Sequence, residues 1–199
     1  MSESDKNTRR RGDALMVSIY DVTVDLIKEV GYENLTFQQI ANRAKTSRTV
    51  LYRRWPTAFE LIKEIKEYRS KLALNGDLID KIQDTGSLRG DLFQFLTLYQ
   101  MIYDEIGSEI MNAFLFEMGQ NNKKIDAIKL LAIEKDILIM KKLLNFAKGR
   151  GEKIKEVSDD TLILPFDLIR MENIFHENEV DERNLIRLVD EILLPVFKY

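Results

Sequence analysis

The residues best suited to chemistry in this sequence are hydrogen-bond donors clustered between positions 45 and 53. They are Lys45, Ser47, Arg48, Thr49, Tyr52 and Arg53. Arginine can hold guanine through two parallel hydrogen bonds, and hydroxyl and ammonium groups can donate to bases or to phosphates. Val50 and Leu51, between the donors, supply an apolar side. A short helix with one apolar side and one donor-rich side suits the DNA major groove.

Two capping signals mark the elements that must position these donors. Thr36 can accept a backbone N–H at a helix start, and Gln39 completes a capping-box pattern. Apolar residues after Thr36 recur at helical spacing, and Ser47 can cap a second helix after a polar interruption. The pattern predicts a helix-turn-helix whose second helix carries the donors. The alternative is a pair of ordinary amphipathic helices with a solvated basic face.

Further helices are predicted on both sides of this pair. Between residues 13 and 31, apolar residues step by three and four positions up to Gly31, which suits a helix end. A longer helix is expected over residues 58–75. The three arginines at 9–11 stand near the end of a polar N-terminal segment. They form either an arm for the DNA backbone or minor groove, or simply a solvated tail.

The composition limits the class of protein. The sequence has no cysteine, which excludes disulfides and thiolate metal sites, and no apolar run reaches the ~18 residues of a membrane span. The N-terminus lacks a signal-peptide core, so a cytoplasmic protein is the simplest expectation. Residues 1–70 carry 13 basic and 10 acidic side chains, net +3, whereas the remainder has net −6. A basic head on an acidic body fits a protein that touches a polyanion at one end.

Sequence motifs for catalysis or cofactor binding are absent. The single histidine, His176, lies among glutamates and is interpreted as a surface residue rather than a ligand or base. The sequence has no glycine-rich phosphate loop, no His-Glu metal spacing and no nucleophile elbow. We therefore expect no enzyme, no metal site and no cofactor.

The stretch TFQQIANRAKTSRTVLYRRWPTAFEL, residues 36–61, resembles the DNA-binding signature of the TetR family of bacterial transcriptional regulators. The matching residues are Thr36, Ile40-Ala41, Ala44, Ser47, Leu51-Tyr52, Trp55 and Glu60-Leu61. Two positions depart from the pattern. Lys45 replaces the usual glycine of the turn, which suggests an altered turn, and Ala58 replaces a lysine, which weakens the case for one phosphate contact. The segment DTGSLRGDL at residues 84–92 is similar to one found in a TetR subgroup.

The resemblance implies where DNA would be met. Ser47, Arg48, Thr49, Tyr52 and Arg53 occupy the positions at which the family contacts DNA, with Thr36, Gln38 and Lys45 nearby. Within this set we expect Arg48 and Thr49 to read bases. The phosphate contacts are assigned to Thr36, Lys45 and Tyr52.

The chain after about residue 77 is predicted to be helical throughout. Its large adaptable side chains can line a cavity for an apolar ligand, or can form ordinary packed core. The residues expected at such a pocket are Phe95, Tyr99, Tyr103, Phe114, Met118 and Met140. The resemblance favours the pocket, because the body of TetR proteins senses effectors. Residues 93–118 contain no basic side chain, so we expect a mostly apolar effector that is neutral or cationic.

The two closing helices are expected to form a dimer interface. Residues 161–175 are apolar on nearly every side, with Pro165 placed in the first turn. The last helix, residues 181–197, has a second apolar face that includes Leu193 and Val196. Packed against a second copy, the pair would make a four-helix interface, which is also where the resembled family dimerises. The alternative is that both helices belong to the core of a single chain.

Together these patterns predict an all-α homodimer with two domains. Residues 1–57 form the helix-turn-helix domain with its flexible arm, and residues 58–199 form a helical effector-binding and dimerisation domain. The predicted function is repression at an inverted-repeat operator in double-stranded DNA, relieved by the effector through a population shift. One alternative keeps the fold as a ligand-independent DNA-binding factor. Another is a helical protein–protein adaptor, which has no need of Arg48 or Tyr52 on an outward face.

Overall fold

The protein is built from helices, as the sequence predicts. The structure is a computed structural model that describes the backbone of residues 3–120, 123–175 and 180–199, and the side chains of those ranges from Gly12 onward. The α-helices are α1 Glu3–Val30, α2 Phe37–Arg43, α3 Arg48–Arg54, α4 Ala58–Leu74, α5 Leu78–Lys81, α6 Leu88–Ile106, α7 Ser108–Met118, α8 Lys123–Gly149, α9 Asp159–Phe175, α10 Glu182–Arg187 and α11 Leu194–Phe197. Within the described ranges there is no β-strand, and no helix is both long and apolar enough to cross a membrane.

The chain divides into two compact units. The first contains Met1–Glu67 together with Glu109–Glu117, and the second contains Tyr68–Ser108 and Met118–Tyr199. The first unit therefore takes up the beginning of α4 and most of α7, which the sequence assigns to the body. The predicted division between residues 57 and 58 separates a DNA-binding part from an effector-binding part. That functional division stays a prediction, and it does not coincide with the two compact units.

In the first half of the chain the helix boundaries fall close to the predicted ones, and the largest difference is at the N-terminus. Helix α1 begins at Glu3 instead of residue 13 and ends where Gly31 was expected to stop it. Helix α4 ends at Leu74, and Asn75 then adopts the left-handed conformation with φ +48°. The Gly76 N–H bonds the Lys71 carbonyl at 3.0 Å, which satisfies one of the carbonyls left unpaired at the helix end.

Helix α9 begins earlier than the sequence suggests, and this changes the setting of its proline. The helix starts at Asp159, so Pro165 lies in its interior rather than in its first turn, and that prediction is wrong. The Pro165 ring is buried. Since proline has no N–H, the Thr161 carbonyl one turn earlier lacks its helical donor there.

The C-terminal segment was predicted as one α-helix and instead has three parts. Helix α10 is followed by a π-helical stretch, Leu188–Leu193, and then by α11. The π stretch carries Asp190, whose two carboxylate oxygens accept bonds of 2.7 and 2.8 Å from Arg89 at the start of α6. Its apolar residues, including Leu188, Val189 and Leu193, are buried in the core of the second unit.

Candidate nucleic-acid interface

The start of α2 is fixed by the capping box that the sequence predicts. The Thr36 hydroxyl accepts the Gln39 N–H at 3.3 Å, and the Thr36 N–H donates to Gln39 Oε1 at 2.7 Å. Two of the N–H groups left unpaired at the helix start thus have partners. Phe37, Ile40 and Ala41 point into the core of the first unit and are buried, which confirms the predicted apolar face.

The turn between α2 and α3 keeps a conformation that normally favours glycine. Lys45 has φ +51°, in the left-handed region. The Thr46 N–H bonds the Ala41 carbonyl at 2.9 Å, and the Lys45 N–H bonds the Asn42 carbonyl at 3.4 Å. This pair of bonds is a Schellman motif, the common ending of a helix. The expectation that Lys45 alters the turn is therefore wrong, because Lys45 itself adopts the left-handed conformation. Its side chain is exposed.

Helix α3 is held by its cap at one end and by apolar burial along its inner side. The Ser47 hydroxyl accepts the Val50 N–H at 3.3 Å, as predicted. Leu51 is completely buried, whereas Val50 is only half-buried. The Tyr52 ring packs edge-on against the Phe37 ring of α2, with ring centres 4.8 Å apart. This contact fixes the direction of a tyrosine that is otherwise 54 % exposed.

The outward side of α3 brings together four of the predicted DNA-binding residues. Arg48, Thr49, Tyr52 and Arg53 line one shallow surface. In the part of the chain that the structure describes, neither Arg48 nor Arg53 forms an ion pair. The surface therefore offers two unneutralised guanidinium groups, a hydroxyl and a phenol. Such a set of donors can bind phosphates and base edges.

Other arginines of the same region are committed to carboxylates. Arg43 forms a two-bond pair with Glu29, with N···O distances of 2.7 and 2.8 Å. Arg54 donates to Glu64 at 2.6 Å. The sequence shows four arginines within twelve positions but does not distinguish these two pairs. The structure separates arginines that are available to a polyanion from arginines that are already paired with carboxylates.

Two further predicted contact residues are exposed but already engaged. The Thr36 hydroxyl hydrogen donates to Gln39 Oε1 at 2.6 Å, so donating to a phosphate would require it to leave the cap. Gln38 Nε2 donates to Asn42 at 2.7 Å. The arginines at 9–11 belong to α1, but their side chains lie outside the described part of the structure, as does His176.

A group that the sequence analysis missed joins the end of α3 to α1 and α4. Its members, which we call the Glu64 cluster, are Tyr20, Arg54, Trp55 and Glu64. The Trp55 indole N–H donates to Glu64 Oε2 at 2.8 Å, and the Tyr20 hydroxyl donates to Glu64 Oε1 at 2.6 Å. The indole ring is 1 % exposed, so its N–H needs an internal partner. The spacing of nine residues between Trp55 and Glu64 has no helical or turn signature, so no signal in the sequence pointed to this contact.

The electrostatics of the Glu64 cluster keep the carboxylate ionised. Burial acts to raise the pKa of Glu64, but bonds from Tyr20, Arg54 and Trp55 outweigh it and lower that pKa below its usual value. Burial, helped by the adjacent carboxylate, raises the pKa of Tyr20. The cluster is therefore a charged carboxylate with neutral and cationic donors on both of its oxygens.

The residues predicted for a ligand pocket are mostly packed against one another. Phe95 and Met140 are completely buried, and Tyr103 is buried. The Tyr99 ring lies 5.7 Å from Phe95 and 5.6 Å from Tyr103, centre to centre. Met118 belongs to the same unit as these four residues.

Phe114 differs from the other five in its surroundings. It lies in the first unit, where its ring centre is 5.9 Å from that of Phe59. The depressions on α3 and around Ala113 are lined by residues other than the predicted six. The pocket therefore stays a prediction.

Known proteins share both halves of this architecture. Residues 19–65 match the family described as bacterial regulatory proteins, tetR family, and residues 82–192 match the tetracyclin repressor-like C-terminal domain. A helix-turn-helix transcriptional regulator of Mycobacterium bovis, itself uncharacterised, is 30 % identical over 181 residues, covering 87 % of this chain and 83 % of that protein. The DNA-binding transcriptional repressor TetR of Mycobacteroides abscessus is 23 % identical over 188 residues, covering 94 % and 96 %.

The fold comparison gives the same result. The crystal structure of a bacterial regulatory protein in the tetR family from Rhodococcus RHA1 has a TM-score of 0.68 at 14 % identity and covers 92 % of this chain and 97 % of that one. Sequence matches thus include both the helix-turn-helix and the body, and the observed fold agrees with them. The chain therefore belongs to the TetR family of bacterial regulatory proteins and is a DNA-binding transcriptional regulator.

Proposed function

We propose that this regulator is a homodimeric cytoplasmic repressor that holds an inverted-repeat operator through α3 and releases it when a small ligand binds. The observation that carries the DNA contact is the outward surface of α3. Arg48 and Arg53 stand there without a carboxylate partner in the described structure, beside the hydroxyl of Thr49 and the phenol of Tyr52. A protein–protein adaptor has no use for two unneutralised guanidinium groups on one short helix.

The proposal assigns different roles to the ends of this surface. Arg48 and Thr49, in the first turn of α3, read base edges, because the first residues of a recognition helix enter the groove. Tyr52 and Lys45 bind phosphates of the DNA backbone on either side of the groove. Thr36 is a weaker phosphate candidate than the sequence suggests, since its hydroxyl hydrogen already serves the cap of α2.

The dimer is proposed to form through a surface of α8 and α9, which we call the α8–α9 face. Its large apolar side chains are exposed on the single chain, at 40 to 73 % of their area. They are Leu130, Leu131, Ile133, Leu138, Met171, Ile174 and Phe175. Several large apolar side chains exposed on two neighbouring helices are typical of a protein interface.

The two helices that carry the α8–α9 face lie side by side and run antiparallel. Arg170 of α9 bonds Asp136 of α8 at 2.5 Å, and Lys141 of α8 pairs with Asp159 of α9 at 3.1 Å. Moving along α8 toward its start therefore means moving along α9 toward its end. Two helices from each copy would make a four-helix contact.

The last helical segment does not share this face. Leu193 is completely buried and Val196 half-buried in the core of their own chain, so the prediction that Leu193 forms the dimer interface is wrong. The segment was expected to be at the interface because its apolar stripe is strong. In the structure that apolar stripe is buried in the core of its own chain. This is the stated alternative to the dimer interface, realised for the last segment.

The proposed effector is mostly apolar and is neutral or cationic. The second unit does place one basic group, Arg170, beside the predicted pocket, with Nη2 3.5 Å from the Tyr99 hydroxyl. That guanidinium also bonds Asp136 at 2.5 Å and Asp167 at 2.8 Å. The two carboxylates outnumber it, so the site has no net positive charge to attract an anion.

A ligand-independent DNA-binding factor is the second candidate. The dense packing of Phe95, Tyr103 and Met140 favours it, because binding requires those side chains to move apart. Release of a bound operator by an apolar compound, neutral or cationic, separates the two candidates. Release supports the repressor, whereas an operator affinity that no such compound changes supports the ligand-independent factor.

Selection of bound sequences from a random duplex pool tests the proposed DNA contact. We expect an inverted repeat whose half-site centres are roughly 34–36 Å apart, or a multiple of that distance. Arg48→Ala should then lose about 1–3 kcal/mol at one base pair in each half-site and relax the preference there. Wild-type affinity of Arg48→Ala for the selected operator would show that α3 is not the reading helix.

A further inference from the structure

The reading helix α3 is too short to hold its own direction. It has seven residues, about two turns, and isolated helices of that length are unstable in water. Its angle toward DNA must therefore be set by contacts with the rest of the first unit. The Ser47 cap acts at its start, and Leu51 anchors its middle.

The far end of α3 is fixed by the carboxylate of Glu64. This one group accepts from Arg54 Nη2 at 2.6 Å and from Trp55 Nε1 at 2.8 Å, two consecutive residues at the end of the helix. It also accepts from the Tyr20 hydroxyl at 2.6 Å. Helices α1, α3 and α4 thus meet at a single side chain, and the bonds to a charged acceptor are the strong kind.

The same contact keeps Arg54 away from DNA. Its guanidinium is paired with Glu64 and lies over the Trp55 ring, 5.4 Å from the ring centre. Arg53, the residue before it, has no such partner in the described structure. The carboxylate therefore both directs α3 and removes one positive charge from the pool that binds phosphates without regard to sequence.

We propose that Glu64 is a positioning residue for DNA recognition, which sets the angle of α3 through Arg54 and Trp55 and restricts nonspecific phosphate binding. The inference rests on the proposed function of α3 as the reading helix. It assigns specificity in part to a residue of α4 that does not touch DNA. Loss of the Glu64 carboxylate should lower affinity for the operator while leaving, or raising, affinity for unrelated duplex.

The test compares Glu64→Gln with Glu67→Gln in the full-length dimer. Both changes remove one negative charge from α4, but Glu67 is exposed and pairs with Lys63 at 3.6 Å on the same helix. We expect Glu64→Gln to bind the selected operator about tenfold more weakly, from loss of bonds to a charged group. Its affinity for random duplex should be equal to wild type or a few-fold higher, with a steeper salt dependence from the released Arg54. Glu67→Gln should keep the wild-type ratio of operator to random affinity.

Two further readouts separate positioning from a loss of stability. Combined with Arg48→Ala, the Glu64→Gln change should cost less than the sum of the two single effects, because a misdirected helix has already lost the Arg48 contact. Trp55, the single tryptophan of the chain, should also change its emission in Glu64→Gln and not in Glu67→Gln. If Glu64→Gln does not fold, Tyr20→Phe removes one donor and keeps the ring, and a smaller shift of the same sign is expected.

The outcomes are distinct for the two proposals. A wild-type protein that selects no sequence would overturn the proposed function of α3. A wild-type protein that selects an operator, together with an unchanged affinity ratio in Glu64→Gln, would overturn the role of Glu64 alone. Equal weakening on operator and random duplex, or full additivity with Arg48→Ala, would also overturn it.

Discussion

Lys45 combines two requirements that a single residue rarely meets together. Its backbone lies in the left-handed region at φ +51°, where a side chain is strained, and its ammonium group stands exposed beside the reading helix. A left-handed conformation costs roughly 1–2 kcal/mol for a residue with a Cβ. The presence of lysine there, despite this cost, is consistent with a contact to the DNA backbone.

Substitution of Lys45 by glycine and by alanine separates the two requirements. Lys45→Gly relieves the strain but loosens the unfolded chain, so we expect stability that is unchanged or higher by about 1 kcal/mol. Lys45→Ala keeps the strain and should leave stability within about 0.5 kcal/mol of wild type. Both variants lose the charge, so both should weaken binding to every duplex alike and flatten the salt dependence by about one phosphate contact in each protomer.

Thermal unfolding and salt titration of DNA binding measure these effects. A lower melting temperature for Lys45→Gly than for Lys45→Ala would show that the turn does not need the left-handed conformation. A salt dependence equal to wild type in both variants would remove Lys45 from the DNA interface.

At the level of elements, the C-terminal segment and the pair of helices α8 and α9 use their apolar side chains differently. The C-terminal segment buries Leu185, Val189 and Leu193 in its own chain. Helices α8 and α9 also bury apolar side chains, including Met140 and Phe166, but leave others such as Leu131 and Leu138 exposed. An apolar pattern in the sequence shows that a helix face must be buried. Whether that face packs inside its own chain or is left for a second copy depends on the helices around it.

The double variant Leu131→Glu, Leu138→Glu tests the α8–α9 face. Four charges would be placed in a twofold interface, so we expect a folded monomer by sedimentation or light scattering with an unchanged helical spectrum. Leu72→Glu is the matched control, since Leu72 on α4 is 56 % exposed and Leu138 is 57 % exposed. A dimer that persists in the double variant would place the interface elsewhere. Leu193→Glu should unfold the chain instead of dissociating it, because its side chain is completely buried.

At the level of the whole molecule, the second unit contains an ionic cluster, built around one buried carboxylate, that ties distant parts of the chain together. Its members, which we call the Asp91 cluster, are Asp84, Asp91, Arg150, Glu152 and Lys198. Asp91 is completely buried; its carboxylate bonds Arg150 at 2.6 Å and accepts the Thr85 hydroxyl at 2.7 Å. Glu152 accepts the Leu88 N–H at 2.9 Å and the Lys198 ammonium at 2.8 Å.

The Asp91 cluster explains the segment DTGSLRGDL as a structural motif. A Cβ at Gly90 would stand 2.3 Å from the Thr85 hydroxyl oxygen, so this position requires glycine. Thr85 must approach that closely because its N–H and hydroxyl both bond the same Asp91 oxygen, at 2.8 and 2.7 Å. The motif therefore closes the start of α6 over a buried carboxylate.

The cluster predicts how stability depends on pH. Burial acts to raise the pKa of Glu152, but bonds from Lys198, Arg150 and the Leu88 N–H lower it to about 2. The unfolded value is about 4.3, so this stabilisation is complete above about pH 5 and is lost as the pH falls toward 2. Glu152→Gln should lower the free energy of unfolding by about 1–3 kcal/mol at pH 7, and the difference should shrink as acid is added.

Urea unfolding between pH 7 and pH 3 measures this dependence. Glu156→Gln, a change at an exposed glutamate four residues later, is the control and should follow the wild-type curve. A difference between Glu152→Gln and wild type that stays constant over this range would show that the Glu152 carboxylate is not held in its charged form by folding.

The sequence by itself determined the local structure of the DNA-binding region. Thr36 with Gln39, and Ser47, cap helices as predicted, because a cap needs only a side-chain oxygen within three residues of an unpaired N–H. The helical periodicity also placed the inner residues of α2 and the outward donors of α3. Those relations extend over one or two helical turns. Within that span, spacing along the sequence fixes which residues are neighbours in the helix.

The tertiary structure decided everything that depends on residues far apart in the chain. It selected Arg54 and not Arg53 as the partner of Glu64, and it brought α7 into the first unit, where the Tyr32 hydroxyl bonds Glu117 at 2.6 Å across 85 positions. It also buried Leu193 and exposed Leu138. A charge or an apolar side chain does not specify its partner. The choice is made by which carboxylates and surfaces the packed helices bring within reach, and no local pattern encodes that distance.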